Sequence, residues 1–362
     1  MKVLLMNTYS MESAFRDWKA GITPSHHLWG KIELDQMGDI DMEILPHEKY
    51  KFLNKIGQFL RIEFLDQQIR ALLILGRIDI IYAPNGSGTT KLLALLKWLR
   101  LVSTPIVIVA HQPQFFAPET SRIKRWVAGL GMRQFDAIVY LNKEMKKDNI
   151  RIYNIPLKHQ KKFHALDWGA DTKFYEEFSS QVPINETHFA ISAGTTQRDI
   201  DTVIEAFKGI NFPLKIFTTP QLLPKVKDIP ENVTIYTEGI TYKNLLQEYQ
   251  MARVILVPMK ISDTPNNTHG LTGLLDAMVM GKPIVITRNR YLIDVEEEGI
   301  GFWANRYDPL HWREVLNSFI FDAEKVSQMG SKAREIFNNK YNAKIFAKEL
   351  QKIFLKVNKQ AS

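Results

Sequence analysis

The chain contains no cysteine. That absence excludes disulfide cross-links, thiolate metal sites and a thiol nucleophile, and it makes the cytosol the expected compartment. No stretch approaches the roughly 18 uninterrupted apolar residues that a membrane-crossing helix needs. Residues 1–6 form one apolar, strand-like run without the basic start and small-residue cleavage site of a signal peptide. The pattern Gly-Lys-Ser/Thr is absent, and no Gly-x-Gly-x-x-Gly follows the first strand. Nicotinamide chemistry therefore has no support, and no cofactor is expected.

What the chain does have is length and a basic balance. Its 362 residues exceed one ordinary core, and at about 100–200 residues per domain two domains are expected. Hydrophobic residues make up 45% and charged residues 24%, the balance of a folded rather than a disordered chain. The formal net charge of +8 favours anionic partners: nucleic acid, sugar nucleotides or anionic lipid headgroups.

Short apolar or β-branched runs at 2–6, 42–45, 79–82, 105–110 and 137–141 predict strands. Between them, 27–36, 59–75 and the stretch after the turn at 85–90, up to 101, have helical spacing. The pattern restarts with strands predicted at 189–192, 214–217, 233–236, 254–257 and 283–287, and helices at 199–207 and 272–280. An amphipathic helix is predicted at 341–357. Continuous apolar strands between helices indicate parallel sheets covered on both faces. Two α/β, doubly wound domains follow, at 1–172 and 188–340, with a polar linker at 173–187 that contains Ser179, Ser180 and Pro183. Ligands in such sheets sit at the carboxyl ends of the strands, here in a cleft expected between the domains.

The most informative stretch runs from Asn266 through Thr268-His269-Gly270-Leu271-Thr272-Gly273 to Asp276 and Gly281-Lys282-Pro283. Gly270 and Gly273 allow close backbone approach to a ligand. The free N–H groups at the helix start, with the helix dipole, suit a diphosphate. Asp276, one turn beyond Thr272, can accept hydrogen bonds from ribose hydroxyls. A plain α/β loop with Thr272 as helix cap accounts for the same residues equally well.

This segment resembles the donor-site signature of family 4 retaining glycosyltransferases, in which a Gly-rich loop runs into Glu-Ala-Met and Gly-x-Pro-Val. Asp276 falls at the family's second glutamate, the ribose ligand. The first glutamate lies eight residues earlier, where this chain has Thr268. Three further stretches are similar in the same order. Leu166-Asp167-Trp168-Gly169-Ala170-Asp171-Thr172-Lys173-Phe174-Tyr175 resembles the entry to the family's linker. Ser192-Ala193-Gly194-Thr195-Thr196-Gln197-Arg198-Asp199 resembles the first strand–loop–helix of the donor domain. Glu238-Gly239-Ile240-Thr241-Tyr242 resembles the base-binding loop. The resemblance implies the GT-B fold of two Rossmann-like domains facing a central cleft, with the C-terminal helix, 341–362, returning to the N-terminal domain. It implies a phosphate role for Arg198, the one cation in its loop; a surface ion pair with Asp199 is the alternative. Gly194, Thr195, Ile240, Thr268, His269, Gly270, Leu271, Thr272 and Asp276 complete the expected donor site.

His111 ends a buried-type strand, where the family often places a histidine near the transferred sugar; a hydrogen-bonded core histidine is the alternative. The loop at 18–30, with Trp18, His26, His27 and Trp29, is expected to contact the acceptor, since aromatic faces suit sugar stacking. Adjacent His26 and His27 seldom chelate together, so no metal is expected. The turn at 85–90 lacks P-loop spacing and is expected to cap a helix. Basic residues cluster at Arg122, Lys124, Arg125 and Arg133 around Trp126, Val127 and Leu130. A basic amphipathic helix of this kind suits an anionic membrane surface and a lipid-linked acceptor, while a solvated helix face explains it as well. No nucleic-acid module is present, so nucleic acid is not an expected partner.

The expected activity is transfer of a hexose from a nucleotide diphosphate sugar to a glycan or lipid-linked acceptor, with retention, in cell-surface polysaccharide or glycoconjugate synthesis. The enzyme would sit in the cytoplasm or on the inner face of the cell membrane. Sugar-nucleotide epimerisation on the same fold, or a non-catalytic role in a glycan-synthesis complex, are the alternatives.

Overall fold

The computed structural model describes residues 1–178, 182–261 and 267–361. Ser179 and Ser180 of the expected linker, and Asn266 of the donor signature, lie outside the described residues. Met1–Trp168 and the chain from Ala343 onward form one compact unit, and Gly169–Asn342 forms another.

The first unit is built on β1 (Lys2–Leu5), β2 (Asp41–Ile44), β3 (Ile80–Ala83), β4 (Ile106–Ala110), β5 (Ala137–Tyr140) and β6 (Phe163–Ala165). All pair in parallel, in the order β2-β1-β3-β4-β5-β6. Every residue of β3, β4 and β5 is buried, as uninterrupted apolar runs require when helices cover both faces. The helices are α1 (Met11–Lys19), α2 (Lys31–Met37), α3 (Lys51–Leu60), α4 (Leu65–Leu72), α5 (Lys91–Trp98), α6 (Arg122–Met132), α7 (Lys143–Ile152) and α8 (Leu157–Gln160).

The second unit repeats the plan with β7 (Phe189–Ala193), β8 (Leu214–Phe217), β9 (Val233–Tyr236), β10 (Ala252–Val257), β11 (Ile284–Thr287) and β12 (Gly301–Ala304). Their order is β12-β11-β10-β7-β8-β9, again all parallel. Helices α9 (Thr172–Glu176), α10 (Ile200–Phe207), α11 (Tyr242–Met251), α12 (Leu271–Val279), α13 (Pro309–Asn317) and α14 (Ala323–Lys340) surround the sheet. Phe207, Trp312, Leu316 and Phe319 fill one core layer against the strands. In each sheet the order reverses once, between β1 and β3 and between β7 and β10. Loops leaving the strand ends there diverge and open a crevice.

The final helix, α15 (Ala343–Ala361), belongs to the first unit and packs on α2. Gly30 takes a φ of 89° that a glycine adopts without strain and faces α15, where a Cβ would meet Ala347 and Leu350 at an ordinary contact distance of 3.7 Å. Phe354 of α15 meets Tyr82 of β3 edge to face at 5.1 Å.

Several local expectations are corrected. The helical spacing over 59–75 covers the end of α3 and all of α4, split where Arg61 and Phe64 take left-handed backbone conformations. The helix expected from residue 27 begins at Lys31. Ser25–Leu28 is instead a 3₁₀ turn, and Trp29 and Gly30 both have positive φ. Trp18, expected in a loop, lies in α1. The turn at 85–90 is a 3₁₀ helix, Gly86–Thr90, and its last residue makes no side-chain cap to α5. β12, α13 and α14 have no counterpart in the expected pattern.

Helices α12 and α14 pack closely. A mid-helix glycine replaced by alanine ordinarily gains about 0.5–1 kcal/mol. At Gly330 of α14 the added Cβ would stand 2.2 Å from the Gly281 carbonyl oxygen, which is backbone and has no rotamer to move to. Gly330→Ala is therefore expected to lower the melting temperature by about 2–12 °C, the effect of roughly 1–3 kcal/mol of overpacking in a unit of this size. Gly239→Ala, with nothing within 4 Å of the new atom, should leave it unchanged. Thermal denaturation of the two variants checks this, and equal melting points would refute the close helix contact.

Candidate active site

The reversal point of the second sheet is where its chemistry gathers. After β7 the chain reaches Gly194, at φ 147°, and Arg198 folds back over it. A Cβ at 194 would lie 2.4 Å from Arg198 Nε, so the glycine makes room for the guanidinium. Arg198 Nε donates to the Ala193 carbonyl at 3.0 Å, and Nη1 meets the Met259 sulfur. The loops after β7 and β10 are laced across the reversal by backbone bonds, from Asp199 N to Pro258 O at 3.1 Å and from Lys260 N to Gln197 O at 2.7 Å. Nη2 reaches the first turn of α12, 3.7 Å from where a Cβ on Gly273 would be.

The alternative of an Arg198–Asp199 surface pair is not what forms. Asp199 is buried and accepts from the Thr202 hydroxyl at 2.7 Å. Among the described residues no carboxylate comes within salt-bridge distance of Arg198. Burial pushes the guanidinium's pKa down, while Tyr249 and Asp276 push it back up; an arginine stays charged under such shifts.

Gly270, at φ 96°, begins α12 without any side-chain cap. Thr272 is exposed and does not cap the helix, which corrects that expectation. The N–H of Leu271 bonds back to Thr268 O at 3.1 Å, whereas those of Thr272 and Gly273 have no acceptor among the described residues. Thr268 is buried; Gly270, Leu271 and His269 are half-buried. Burial, and then the positive charge of Arg198, lower the pKa of His269. Asn289, which sequence reasoning missed, holds this loop: its Nδ2 donates to Asn267 O at 3.1 Å and His269 O at 3.3 Å.

Asp276 is 4% exposed and already engaged. Its Oδ1 accepts from Tyr175 at 2.5 Å and Tyr242 at 2.8 Å, and the two hydroxyls contact each other. Burial raises the Asp276 pKa to about 6 against the two hydrogen bonds and Arg198, which lower it. Tyr175, expected in a connecting segment, lies on α9, fully buried in the second unit. Nothing local marks Tyr175 for this; only the fold brings residues 175, 242 and 276 together.

The rest of the expected donor set borders the same strand ends. Thr195 is exposed beside Arg198, and half-buried Ile240 follows β9. Two residues were missed here. Lys260 puts a second cation on the laced loops. Thr218, at the end of β8, has a buried hydroxyl without a partner among the described residues, an arrangement that calls for a ligand or water.

In the first unit, His111 follows β4, and its ring lies 6.1 Å from Trp29. Trp29 stacks on Trp168 at 5.0 Å, and Trp168 meets His26 edge-on at 5.2 Å, with His27 beyond at 4.7 Å. Four expected residues, His111, Trp29, His26 and His27, therefore share one aromatic stack, joined by Trp168. Trp18 is not among them; it stacks on Phe15 of its own helix. His26 is 2% exposed, and burial lowers its pKa well below the ordinary value and that of His27 to about 4. Both rings are neutral near pH 7. Trp29 is pinned by its indole donating to Tyr9 at 2.9 Å and by its carbonyl accepting from Tyr82 at 3.2 Å. The glycine turn after β3 does not cradle an anion: Gln114 Oε1 already accepts from the Ser87 N–H at 2.6 Å.

No family model and no curated protein matches the chain. Solved structures do. It is similar to sucrose-phosphate synthase from Thermosynechococcus elongatus, at TM-score 0.68 and 13% identity over 100% of this chain and 99% of that one. It is similar to Anabaena HepE, solved in complex with UDP, at TM-score 0.66 and 14% identity over 98% and 100%. It is also similar to UDP-GlcNAc 2-epimerase from Neisseria meningitidis, bound to UDP-GlcNAc, at TM-score 0.58 and 14% identity over 98% and 100%. The fold is GT-B. At such identities the GT-B likeness speaks for architecture alone.

Because the folded pKa of Asp276 is raised to about 6 from 3.8, its proton favours folding. That contribution is complete below about pH 4 and is lost as pH rises through 6. Asp276→Asn should therefore gain stability relative to the parent between pH 4 and 7.5, by on the order of 2–3 kcal/mol. Thermal denaturation across that range checks it, and a constant difference would show that Asp276 ionises freely.

Proposed function

We propose that this chain is a nucleotide-sugar glycosyltransferase that moves a hexose, with retention and without a metal, onto a glycan or lipid-linked acceptor. The observation that carries the proposal is the Arg198 guanidinium, without a carboxylate partner among the described residues, beside the uncapped N-terminus of α12. As the bond from the sugar to the diphosphate breaks, negative charge grows on the leaving phosphate. A fixed guanidinium and the N–H groups of Thr272 and Gly273 would stabilise that charge more than the ground state. Lys260 would add a second cation. HepE was solved with UDP, which is in keeping with a sugar diphosphonucleoside as ligand.

Asp276 is assigned here to positioning. It holds the hydroxyls of Tyr175 and Tyr242, and Tyr242, the half-buried one, is the proposed ribose contact. Thr218 and Ile240 would border the base. In the first unit, His111 would meet the transferred sugar, and the loop that carries His26, His27 and Trp29 would border the acceptor. Basic α6 supports an acceptor at an anionic membrane surface, in cell-surface polysaccharide or glycoconjugate synthesis. Epimerisation is the second reading, because UDP-GlcNAc 2-epimerase has a similar fold; epimerised sugar nucleotide formed without acceptor would favour it.

A panel of nucleoside diphosphates should raise the melting point of the parent, by the equivalent of about 2.7 kcal/mol at a hundred times Kd. Arg198→Ala should abolish that shift while the unliganded melting point changes little. A variant that still shifts like the parent would remove Arg198 from the phosphate site.

A further inference from the structure

Helix α6 carries two faces that its own unit leaves uncovered. Ile123, Trp126 and Val127 fall at helical spacing on one stripe and are exposed, Ile123 at 74% and Trp126 at 58%. Neighbouring α5 adds Trp98 and Leu99, 59% and 51% exposed. Two exposed tryptophans and further exposed aliphatics on two neighbouring helices are unusual on a surface that faces only water.

The other face is cationic, and packing places it. Gly129 of α6 lies against the end of α7, where an added Cβ would come within 2.5 Å of the Tyr153 carbonyl oxygen. This contact holds the two helices together at Gly129. One and two turns earlier on α6, Arg125 and Arg122 then stand beside Arg151 of α7. The three arginines, with Ile152 and Asn154, wall a cavity of about 310 Å³, at the small end of ligand pockets. One charge is balanced, by Asp148 at 2.8 Å from Arg151. Arg125 reaches only the Pro118 carbonyl, at 3.4 Å, and Arg122 makes no hydrogen bond or ion pair among the described residues.

We propose that this cavity binds the phosphate of an anionic phospholipid, with Ile123 and Trp126 entering the interface beside it. Three guanidinium groups, one of them paired with Asp148, offer a phosphate diester an excess of positive charge and forked donors. An adjacent tryptophan and aliphatic stripe suits the boundary between headgroups and acyl chains, where an indole keeps its N–H wet and its ring dry. A second copy of this chain would bring like charge against like, so the bilayer is the occupant that the charges favour. The inference deepens the membrane reading above by naming the headgroup site, and it stands apart from the transferase chemistry.

Cosedimentation of the whole protein with vesicles tests it. Phosphatidylcholine vesicles containing about 30 mol % phosphatidylglycerol should capture the parent, and pure phosphatidylcholine should not. Arg122→Ala, Arg125→Ala and Arg151→Ala together should weaken capture by at least about tenfold, and Trp126→Ala should weaken it separately. A triple variant that is folded by its melting point and binds like the parent would overturn the headgroup site. Equal capture by neutral vesicles would overturn it too. Tight calorimetric binding of inorganic phosphate to these arginines, without vesicle capture, would assign the site to a soluble phosphate and sink the lipid. The nucleotide-induced melting shift, measured on the same samples, reports the donor reading independently: vesicle capture without that shift supports docking while the transferase reading fails.

Discussion

The second unit is organised around a cation held where its parallel sheet reverses direction. Nothing about an arginine after a strand requires this. The crevice exists because β7 and β10 are neighbours whose loops leave in opposite directions. Arg198 occupies it because Gly194 has no Cβ to obstruct the guanidinium, and because backbone bonds from Asp199 and Lys260 tie the two loops together. A charge in such a place is costly to desolvate unless something answers it. The protein answers with carbonyl and sulfur contacts and the more distant Asp276.

Asp276 shows the converse. Its side chain is buried too deeply to ionise at its ordinary pKa, and two tyrosine hydroxyls supply what water would. The cluster joins α9, α11 and α12, so the end of the segment that leads into the second unit is tied to α12. Asn289 does similar work for the loop before α12, a buried amide bonding to two backbone carbonyls. Hydrogen-bonded loops that hold a cation in place are what preorganised charge stabilisation requires.

The first unit solves a different problem. Its candidate residues are packed rather than poised: His26 and Trp29 are almost wholly buried, and their rings stack through Trp168 to His111. A positive φ at Trp29 persists because Tyr9 and Tyr82 fix both ends of that residue. The strongest outward features of this unit are instead on α5 and α6, where exposed tryptophans lie beside a face of arginines.

Five strands of each sheet were legible from the chain alone, because apolar runs covered on both faces are short and distinct; the edge strands β6 and β12 were not. Gly194 stands where only a residue without a Cβ leaves room for the Arg198 guanidinium, whereas Gly270 and Gly273 pack against apolar side chains such as Val257. Helix boundaries near 29–31 and 61–64 were not legible, because non-glycine residues held at positive φ leave no mark in periodicity. Contacts between residues far apart in sequence decided the rest. Tyr175, Tyr242 and Asp276 lie up to 101 positions apart, and Trp168 joins its histidine only through the folded first unit. Local chemistry writes elements and turns into a sequence; which polar groups end up answering one another depends on strand order, and that exists only once the sheet has formed.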